Sequence, residues 1–553
     1  MGNKRYCPGH YFTQIAIFNK HEKTQRMKQM ISTLILVTTI GWSIAQPADK
    51  AAQIEALKAN VVAKVEAKTK MAQVMTDKVF SFAELGFQEV ETSKYLTDIL
   101  KEHGFSIEYG ISGVPTAWVA TWGSGKPVIA IGSDLDCIPK ASQKPGVAYH
   151  DPIIDGAPGH GEGHNSGNPL NIVAALSVKE VMEENQLSGT LMLWPGVAEE
   201  LVGTKAYFTR DGYFDQADLC IFTHVGNNMG VTYGQAPGTG LISVEYTFEG
   251  EAAHAAGAPW RGRSAADAVE LMSIGWQYQR EHLDPLQRSH SVIKNGGDQP
   301  NVVPSKATIW YYFRHVTYPK IMELYENANR IADGAAMMTK TTVSRKILGS
   351  AWPRHFNQPI AEAMYENIKV VGLPEWSDAD QTLARALQKD VHSLDTSGLA
   401  MELDTLDRPN GRFISGGSDD IGDISWKLPT VTLRFPSNIP GLQGHHWSNA
   451  VAMATPIAHK GVVAGAKVEA MTLIDLIMRP ELVEQAWKYF REEQGMKQEY
   501  TPMVGPEDSP ATYLNADIME EFRPQLEKYY FDETQYDNYL QQLGIKYPTV
   551  KDR

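Results

Sequence analysis

The sequence predicts an α/β fold in which a ferredoxin-like α+β domain is inserted into a discontinuous α/β domain. In the first half of the chain, short apolar runs that end in acids or histidine alternate with helical segments, as in a parallel sheet. Over residues 240–352 the order of elements changes to β-α-β-β-α-β, and longer helices return afterwards. We therefore expect residues 46–239 and 353–494 to form one α/β domain around the inserted domain.

The chain has 553 residues, 43% hydrophobic and 21% charged, which is typical of a folded protein with more than one domain. It carries 51 Lys and Arg residues against 65 Asp and Glu residues, a net charge of −14. This balance argues against nucleic acid as a partner, because the phosphate backbone requires a basic surface. Three cysteines cannot build a disulfide framework, and Cys137 and Cys220 are expected to be buried free thiols.

Residues 1–45 are expected to be an N-terminal extension that ends in a secretory signal peptide. From Met27, a positive start at Lys28 precedes an apolar run over 31–44 and the small-x-small sequence SIA at 43–45. The run is short of the roughly 20 residues that a membrane span needs, so an N-terminal anchor is the weaker alternative. The sequence therefore predicts export to the periplasm or the exterior, with no membrane attachment after cleavage.

Helices and buried strands follow in alternation. Helical spacing covers residues 50–80 and is expected to continue to Gly104. Three apolar runs, at 127–136, 190–200 and 218–226, are separated by helical segments and end in polar side chains. Because the carboxyl ends of parallel strands meet at one edge of a sheet, these side chains should lie close together there.

The inserted domain is predicted from the spacing of its six elements. Its expected strands and helices are 241–250, 263–283, 289–297, 305–316, 318–338 and 341–348. A long Ala-rich helix is expected around 457–477 in the second half of the larger domain. Residues 495–553, rich in Pro, Tyr and acids, are expected to form a peripheral C-terminal extension.

Potential metal ligands are concentrated in four short segments. The densest is GHGEGHN at 159–165, where glycine lets the backbone bend close to an ion. Two others are strand ends, and the fourth is GHHW, whose adjacent histidines should point different ways. The candidate ligands are Glu162, His164, Glu200, His224 and His445. Mixed imidazole and carboxylate ligands suit Zn²⁺ or Mn²⁺, and this number fits two ions that share a carboxylate.

Each segment also has a purely structural interpretation. GHGEGHN could be a flexible loop with incidental histidines, Glu199 and Glu200 a solvated acidic loop, and His224 a structural strand-end histidine. Signatures of other enzyme classes do not occur in the sequence, which contains no H-E-x-x-H, no G-x-S-x-G and no G-x-G-x-x-G. The combination of segments favours a metal site over each bland alternative.

An ordered set of motifs resembles one protein family. The set is FAELGFQEVETS, GSDLDCIP, GHGEGHN, AEE, HVG, AAHAAGAPWRGRSAADAVELM, NVVP and GHHW. It resembles the amidohydrolase branch of the dinuclear metallopeptidases, which holds aminoacylases and glutamate carboxypeptidase, and is most similar to the aminobenzoyl-glutamate hydrolases of that branch. The resemblance covers roughly residues 50–475. It implies a metal-binding catalytic domain with an inserted dimerisation (lid) domain.

The resemblance implies roles for individual residues. Those that match metal ligands of the family are His164, Glu200, His224 and His445. Glu162 stands where much of the branch has a cysteine, so a harder carboxylate replaces a thiolate and shifts the expected preference from Zn²⁺ toward Mn²⁺. Asp134 replaces a histidine ligand of other branches and is not expected to bind the ion, whereas Asp136 is expected to support the ligands from behind.

The same resemblance implies a mechanism. Glu199 matches the catalytic carboxylate that activates water, and His254 of the lid is expected to stabilise the oxyanion across a homodimer. Asn301 and Arg314 are candidates for holding a substrate carboxylate, unless they are structural polar residues of the lid.

The expected activity is metal-dependent cleavage of the amide bond of an N-acyl amino acid, such as an aminobenzoyl-glutamate-like compound. The alternatives are a dipeptidase or carboxypeptidase of the same family and a metal-free exported binding protein.

Overall fold

The computed structural model of the protein describes residues 47–406, 417–495 and 498–551. The predicted signal segment lies outside these residues, so export stays a prediction. Within these ranges no helix combines the length and the apolar character that a membrane span requires.

Three helices begin the described chain, and they correct the expectation of helix continuing to Gly104. They are α1 (Pro47–Ala67), α2 (Thr69–Phe82) and α3 (Val90–Glu102). Residues 83–89 form a loop, in which Ala83 and Phe87 have φ values of 50° and 69°. A right-handed helix cannot accommodate these dihedral angles, and only long-range contacts select them over the locally favoured helix.

The first stretch of the larger domain contains five strands. Its elements are β1 (Ser106–Tyr109), β2 (Trp118–Ser124), β3 (Val128–Asp134), α4 (Gly167–Asn185), β4 (Gly189–Gly196), α5 (Lys205–Arg210) and β5 (Leu219–Gly226). The three predicted apolar runs correspond to β3, β4 and β5, in which β3 lies parallel to both neighbours. This confirms the parallel strands, whose side chains are apolar and buried on both faces.

The inserted domain follows a two-residue strand, β6 (Gly234–Gln235). Its elements are β7 (Gly240–Glu249), α6 (Ala265–Arg280), β8 (Arg288–Asn295), β9 (Lys306–His315), α7 (Tyr318–Thr339) and β10 (Thr342–Ala351). The four strands form an antiparallel sheet in the order β10-β7-β9-β8. The domain has its own core, which includes Trp276, Tyr311 and Phe313. The predicted ferredoxin-like order is confirmed.

The chain then returns to the larger domain. The elements of this stretch are β11 (His355–Phe356), α8 (Gln358–Val371), α9 (Asp378–Asp390), α10 (Ile421–Ser425), β12 (Thr430–Pro436), α11 (Trp447–Ala450), α12 (Pro456–Met478) and α13 (Pro480–Tyr489). Strand β12 lies parallel to β5 and completes the six-stranded order β1-β2-β4-β3-β5-β12. The larger domain is therefore discontinuous, as predicted, and α12 is the expected Ala-rich helix.

The C-terminal segment, residues 498–551, is not peripheral. It contains α14 (Ala516–Leu526) and α15 (Tyr539–Gln542). Phe531 and Tyr539 are fully buried in the same core as the six-stranded sheet. The expectation of a peripheral extension is wrong because scattered aromatic side chains among acids give no periodic signal, although they fill the core.

Candidate metal centre

The candidate ligands meet at one edge of the six-stranded sheet. Asp134 ends β3, and His224 lies near the end of β5. Glu199 and Glu200 begin the one-turn 3₁₀ helix Glu199–Leu201 that follows β4. Because β3, β4 and β5 are parallel, their carboxyl ends bring these side chains together, as the sequence predicts.

Glu162 and His164 lie on the loop between β3 and α4. Gly163 separates them with a φ of 113°, a backbone conformation that glycine adopts without strain. The following residue, Asn165, fixes the loop because its Nδ2 donates to the carbonyls of Thr76 and Met453 at 3.1 and 2.8 Å. The His164 Nδ1 lies 3.1 Å from the carbonyl oxygen of Asp136, to which it donates when Nε2 is left to bind an ion.

Glu162 lies between two imidazoles. One carboxylate oxygen, Oε1, is 3.4 Å from His224 Nε2, and the other, Oε2, is 2.9 Å from His445 Nε2. His445 Nε2 is also 3.2 Å from Glu200 Oε2. Burial acts to raise the pKa of Glu162, but the hydrogen bonds with His224 and His445 outweigh it and hold that pKa well below its usual range. A carboxylate with one oxygen toward each imidazole can bridge two ions.

The donor set fits divalent cations. His164 Nε2, Glu200 Oε1 and Asp134 Oδ2 are buried polar atoms without a hydrogen-bond partner, an arrangement that costs free energy unless an ion satisfies it. Burial acts to lower the pKa of His164, but its hydrogen bond to Asp136 and the charges of Asp134 and nearby glutamates raise it to about 10. The site therefore holds an excess of negative charge that cations would neutralise.

Glu199 is buried beside the candidate ligands. Its backbone N–H donates to Asp136 Oδ1, and the N–H of Glu200 donates to Asp136 Oδ2, both at 3.1 Å. Burial and the charges of Asp134 and Asp419 raise the pKa of Glu199 well above its usual range. Asp136 thus supports the two glutamates from behind, in the position expected of it.

The sequence analysis set Asp134 aside as a ligand, yet the structure places it in the cluster. One carboxylate oxygen of Asp134 and ligand nitrogens of His164 and His224 lie within 4.8 Å of one another. Its Oδ1 is 2.7 Å from the Nζ of Lys205, which is fully buried. No sequence signal marked Lys205, because a single lysine at the start of a helix is ordinary.

The three residues predicted from the inserted domain separate into two groups. Arg314 faces the site and donates Nη1 to Ser418 Oγ at 2.9 Å. His254 and Asn301 are exposed on adjacent loops, where Ala255 N donates to the Asn301 carbonyl at 3.0 Å. Neither side chain lines the cavity of its own chain, so their predicted roles require a second subunit and stay predictions.

Two histidines of the predicted motifs take structural positions. His160 stacks on Phe80, and its Nε2 is 3.2 Å from the carbonyl oxygen of Val79. His446 Nδ1 is 2.9 Å from Ser448 Oγ at the start of α11. Of the adjacent pair, only His445 therefore joins the cluster.

The cluster opens into a cavity of about 500 Å³. Acidic and imidazole groups of the cluster form one wall, and the guanidinium groups of Arg314, Arg354 and Arg434 line the same cavity. Arg354 pairs with Asp419, whereas Arg314 and Arg434 form no ion pair with a carboxylate in the part of the chain that the structure describes. Arg434 Nη1 instead lies 2.5 Å from His224 Nδ1, which it faces across the β5–β12 pair.

Comparison with known proteins agrees with this architecture. A family model described as a peptidase dimerisation domain matches residues 239–336, which lie within the inserted domain. The chain is 30% identical over 444 residues to one of the two component chains of the p-aminobenzoyl-glutamate hydrolase of Escherichia coli (strain K12), covering 76% of this chain and 92% of that one. It is 26% identical over 462 residues to the Xaa-Arg dipeptidase of Mus musculus, covering 82% and 97% of the two chains.

Two solved structures show the same fold. A putative aminohydrolase from methicillin-resistant Staphylococcus aureus superposes with a TM-score of 0.53 at 18% identity, covering 76% of this chain and 100% of that one. An aminobenzoyl-glutamate utilization protein from Klebsiella pneumoniae gives a TM-score of 0.50 at 17% identity, covering 75% and 96%.

Proposed function

Since the chain belongs to the M20 family of peptidases and amidohydrolases, which hydrolyse amide bonds, we propose that it is a metal-dependent amidohydrolase of N-acyl amino acids. The observation that carries the proposal is the ring of imidazole and carboxylate groups around buried Glu199, open to a cavity lined by arginines. The proposed substrate is an aminobenzoyl-glutamate-like compound, in keeping with the name of the E. coli relative.

The residues that would hold two divalent ions are Glu162, His164, Glu200, His224 and His445, with Asp134 within reach of the same cluster. When bound, such ions polarise the scissile carbonyl and lower the pKa of the attacking water. Glu199 accepts the proton from that water at its carboxylate and then passes it to the leaving nitrogen. The carboxylate at Glu162, in place of a thiolate, favours Mn²⁺ over Zn²⁺.

The arginines point to an acidic leaving group. Burial lowers the pKa of Arg314 and of Arg434, which reflects the cost of placing a guanidinium away from water without a counter-ion. A substrate that brings two carboxylates would offset this cost at both groups. We assign the α-carboxylate of the released amino acid to Arg314 and its side-chain carboxylate to Arg434.

A substrate panel on metal-reconstituted protein tests the proposal. We expect hydrolysis of N-(4-aminobenzoyl)glutamate only with Mn²⁺ or Zn²⁺, and slower hydrolysis of the matched glutamine compound. Arg434→Gln should lower kcat/KM for the glutamate compound by roughly 10- to 100-fold, since a hydrogen bond to a charged group contributes about 1.5–3 kcal/mol. The glutamine compound is the internal control, and equal losses on both compounds would contradict the assignment of Arg434.

The same panel separates the alternatives. The mouse relative is named for dipeptides that end in arginine, whereas two unpaired guanidinium groups in this cavity would repel a cationic leaving group. Faster cleavage of dipeptides than of N-acyl amino acids would favour a dipeptidase. Tight binding without any turnover, independent of metal, would favour a binding protein.

The inserted domain supports a homodimer. Its edge strand β8 exposes Val292 and Ile293, each 52% accessible, beside unpaired backbone groups that a second copy could cover. In such a dimer His254 of one subunit would reach the site of its partner, where an imidazole can stabilise the oxyanion. This explains why His254 stands outside the cavity of its own chain.

Subunit mixing tests the role of His254. We expect His254→Ala to lose most activity with its metal content unchanged. After exchange with an equal amount of Glu199→Gln, half of the dimers are mixed and one site in each is complete, so about a quarter of the parental activity should return. Absence of recovery despite demonstrated exchange would show that His254 does not act across the dimer.

A further inference from the structure

The C-terminal segment holds the loop between α2 and α3, residues 83–89, which we call the α2–α3 loop. Arg523 of α14 forms an ion pair with the carboxylate of Glu84. Its Nη2 also donates to the carbonyl of Gln88 at 2.8 Å. One guanidinium therefore fixes both a side chain and the backbone of this loop.

Hydrogen bonds to the backbone extend this contact. Asn515 Nδ2 donates to the carbonyl of Gly86 at 3.0 Å, and Gln88 Nε2 donates to the carbonyl of Leu514 at 2.9 Å. The α2–α3 loop and the start of α14 are thus joined in both directions.

Glu84 depends on this contact because it is 2% exposed. Its carboxylate accepts the backbone N–H groups of Glu91 and Thr92, in the first turn of α3, at 3.0 and 2.9 Å. In the described chain Arg523 is the cation that pairs with it. Removing Arg523 would leave a buried carboxylate without a counter-ion, which is strongly unfavourable.

The α2–α3 loop in turn contacts the turn that carries Glu199, residues 198–202, which we call the Glu199 turn. Glu89 Oε1 accepts the backbone N–H of Ala198 at 2.8 Å. A Cβ on Gly86 would lie 2.9 Å from Ala198 Cα and 3.0 Å from Asp136 Oδ2, so the loop backbone lies directly against the turn and its supporting carboxylate.

The Glu199 turn needs such support because its backbone is strained. Ala198 and Val202, which flank Glu199, have φ values of 53° and 48°. Side chains with a Cβ rarely adopt this left-handed conformation, and a β-branched valine does so at particular cost. Strained residues of this kind persist only when the surrounding structure holds them in place.

We propose that Arg523 is a positioning residue for amide hydrolysis and that the C-terminal segment acts through it to hold the Glu199 turn. Arg523 anchors Glu84 and Gln88, the α2–α3 loop presses against Ala198 and Asp136, and these hold Glu199. The catalytic consequence rests on the proposed function, whereas the mechanical connection can be measured without any substrate.

The first test compares Arg523→Gln with a matched control at another contact of the same segment. Tyr547→Phe removes the hydrogen bond from Tyr547 Oη to Asp380 Oδ1, 2.6 Å long, and does not touch the α2–α3 loop. In Arg523→Gln, kcat should fall roughly 10- to 100-fold because small displacements of a catalytic group are costly. KM and bound metal should stay near parental values, Arg523→Lys should recover part of the rate, and Tyr547→Phe should keep the parental kcat.

The second test is hydrogen exchange in the absence of substrate. Amides of residues 198–202 should exchange at least about tenfold faster in Arg523→Gln, while those of β3 stay unchanged. Glu84→Gln removes the same ion pair from the other side and serves if Arg523→Gln does not fold.

Several results would overturn the proposal. They are a parental kcat at full metal content, unchanged exchange over residues 198–202, and an equal loss of activity in Tyr547→Phe, which would reflect general weakening of the segment. If the parental protein hydrolyses none of the amide substrates, the proposed function fails, and the exchange measurement alone decides whether Arg523 holds the Glu199 turn.

Discussion

Replacing Glu199 with glutamine is expected to lower kcat for amide hydrolysis by about 10²–10⁴-fold, the usual contribution of a positioned general base. Glutamine keeps the shape of the side chain but cannot accept a proton from water. The backbone N–H of residue 199 would still donate to Asp136, so the turn and its neighbouring ligands should keep their positions. The loss should therefore fall on the chemical step rather than on metal binding.

The measurement is steady-state hydrolysis together with metal content in the same preparation. Glu183→Gln is a matched control, because that glutamate lies on the surface of α4 and pairs with Lys179. It should retain parental kcat. A rate for Glu199→Gln within tenfold of the parent would show that another group accepts the proton.

Replacing Lys205 with methionine is expected to destabilise the metal-free protein by about 3–5 kcal/mol. Lys205 is fully buried, with its Nζ 2.7 Å from Asp134 Oδ1 and in an ion pair with Asp420. Its backbone N–H also donates to Asp420 Oδ2 at 3.1 Å. Methionine fills a similar volume but leaves two buried carboxylates without their cation.

Denaturant unfolding of the parent, of Lys205→Met and of Lys205→Met/Asp420→Asn measures this effect. The double variant should lose less than the sum of the single changes, because it removes an anion together with its cation. Lys179→Met breaks an exposed pair and should change stability by no more than about 1 kcal/mol. A similarly small change for Lys205→Met would contradict a stabilising role for the buried pair.

The inserted domain was predictable because its evidence is local. Alternation in β7 and β9 and helical spacing in α6 and α7 report which side of each element is buried, residue by residue. The ends of β3, β4 and β5 were predictable for a related reason, since parallel strands bring their carboxyl ends to one edge whatever their order. The candidate ligands Glu162, His164, Glu200, His224 and His445 follow from residue type and from this rule.

Lys205, Arg434 and Arg523 could not be identified in that way. Each is an ordinary basic residue in its own segment, and its importance comes from a partner far along the chain. The α2–α3 loop was missed for the opposite reason, since its sequence favours a helix and the breaks at Ala83 and Phe87 are set by contacts with distant segments.

By itself the sequence determined the kinds of elements in each domain, the insertion of one domain into the other and the set of residues able to bind metal. These depend on periodicity and side-chain chemistry, which are readable in short windows. Only the tertiary structure decided that Asp134 joins the cluster, that His254 and Asn301 stand outside the cavity of their own chain, and that the C-terminal segment supports the Glu199 turn. Those outcomes depend on which distant groups share one buried volume, where an unpaired charge or polar atom is costly, and short-range pattern carries no record of that pairing.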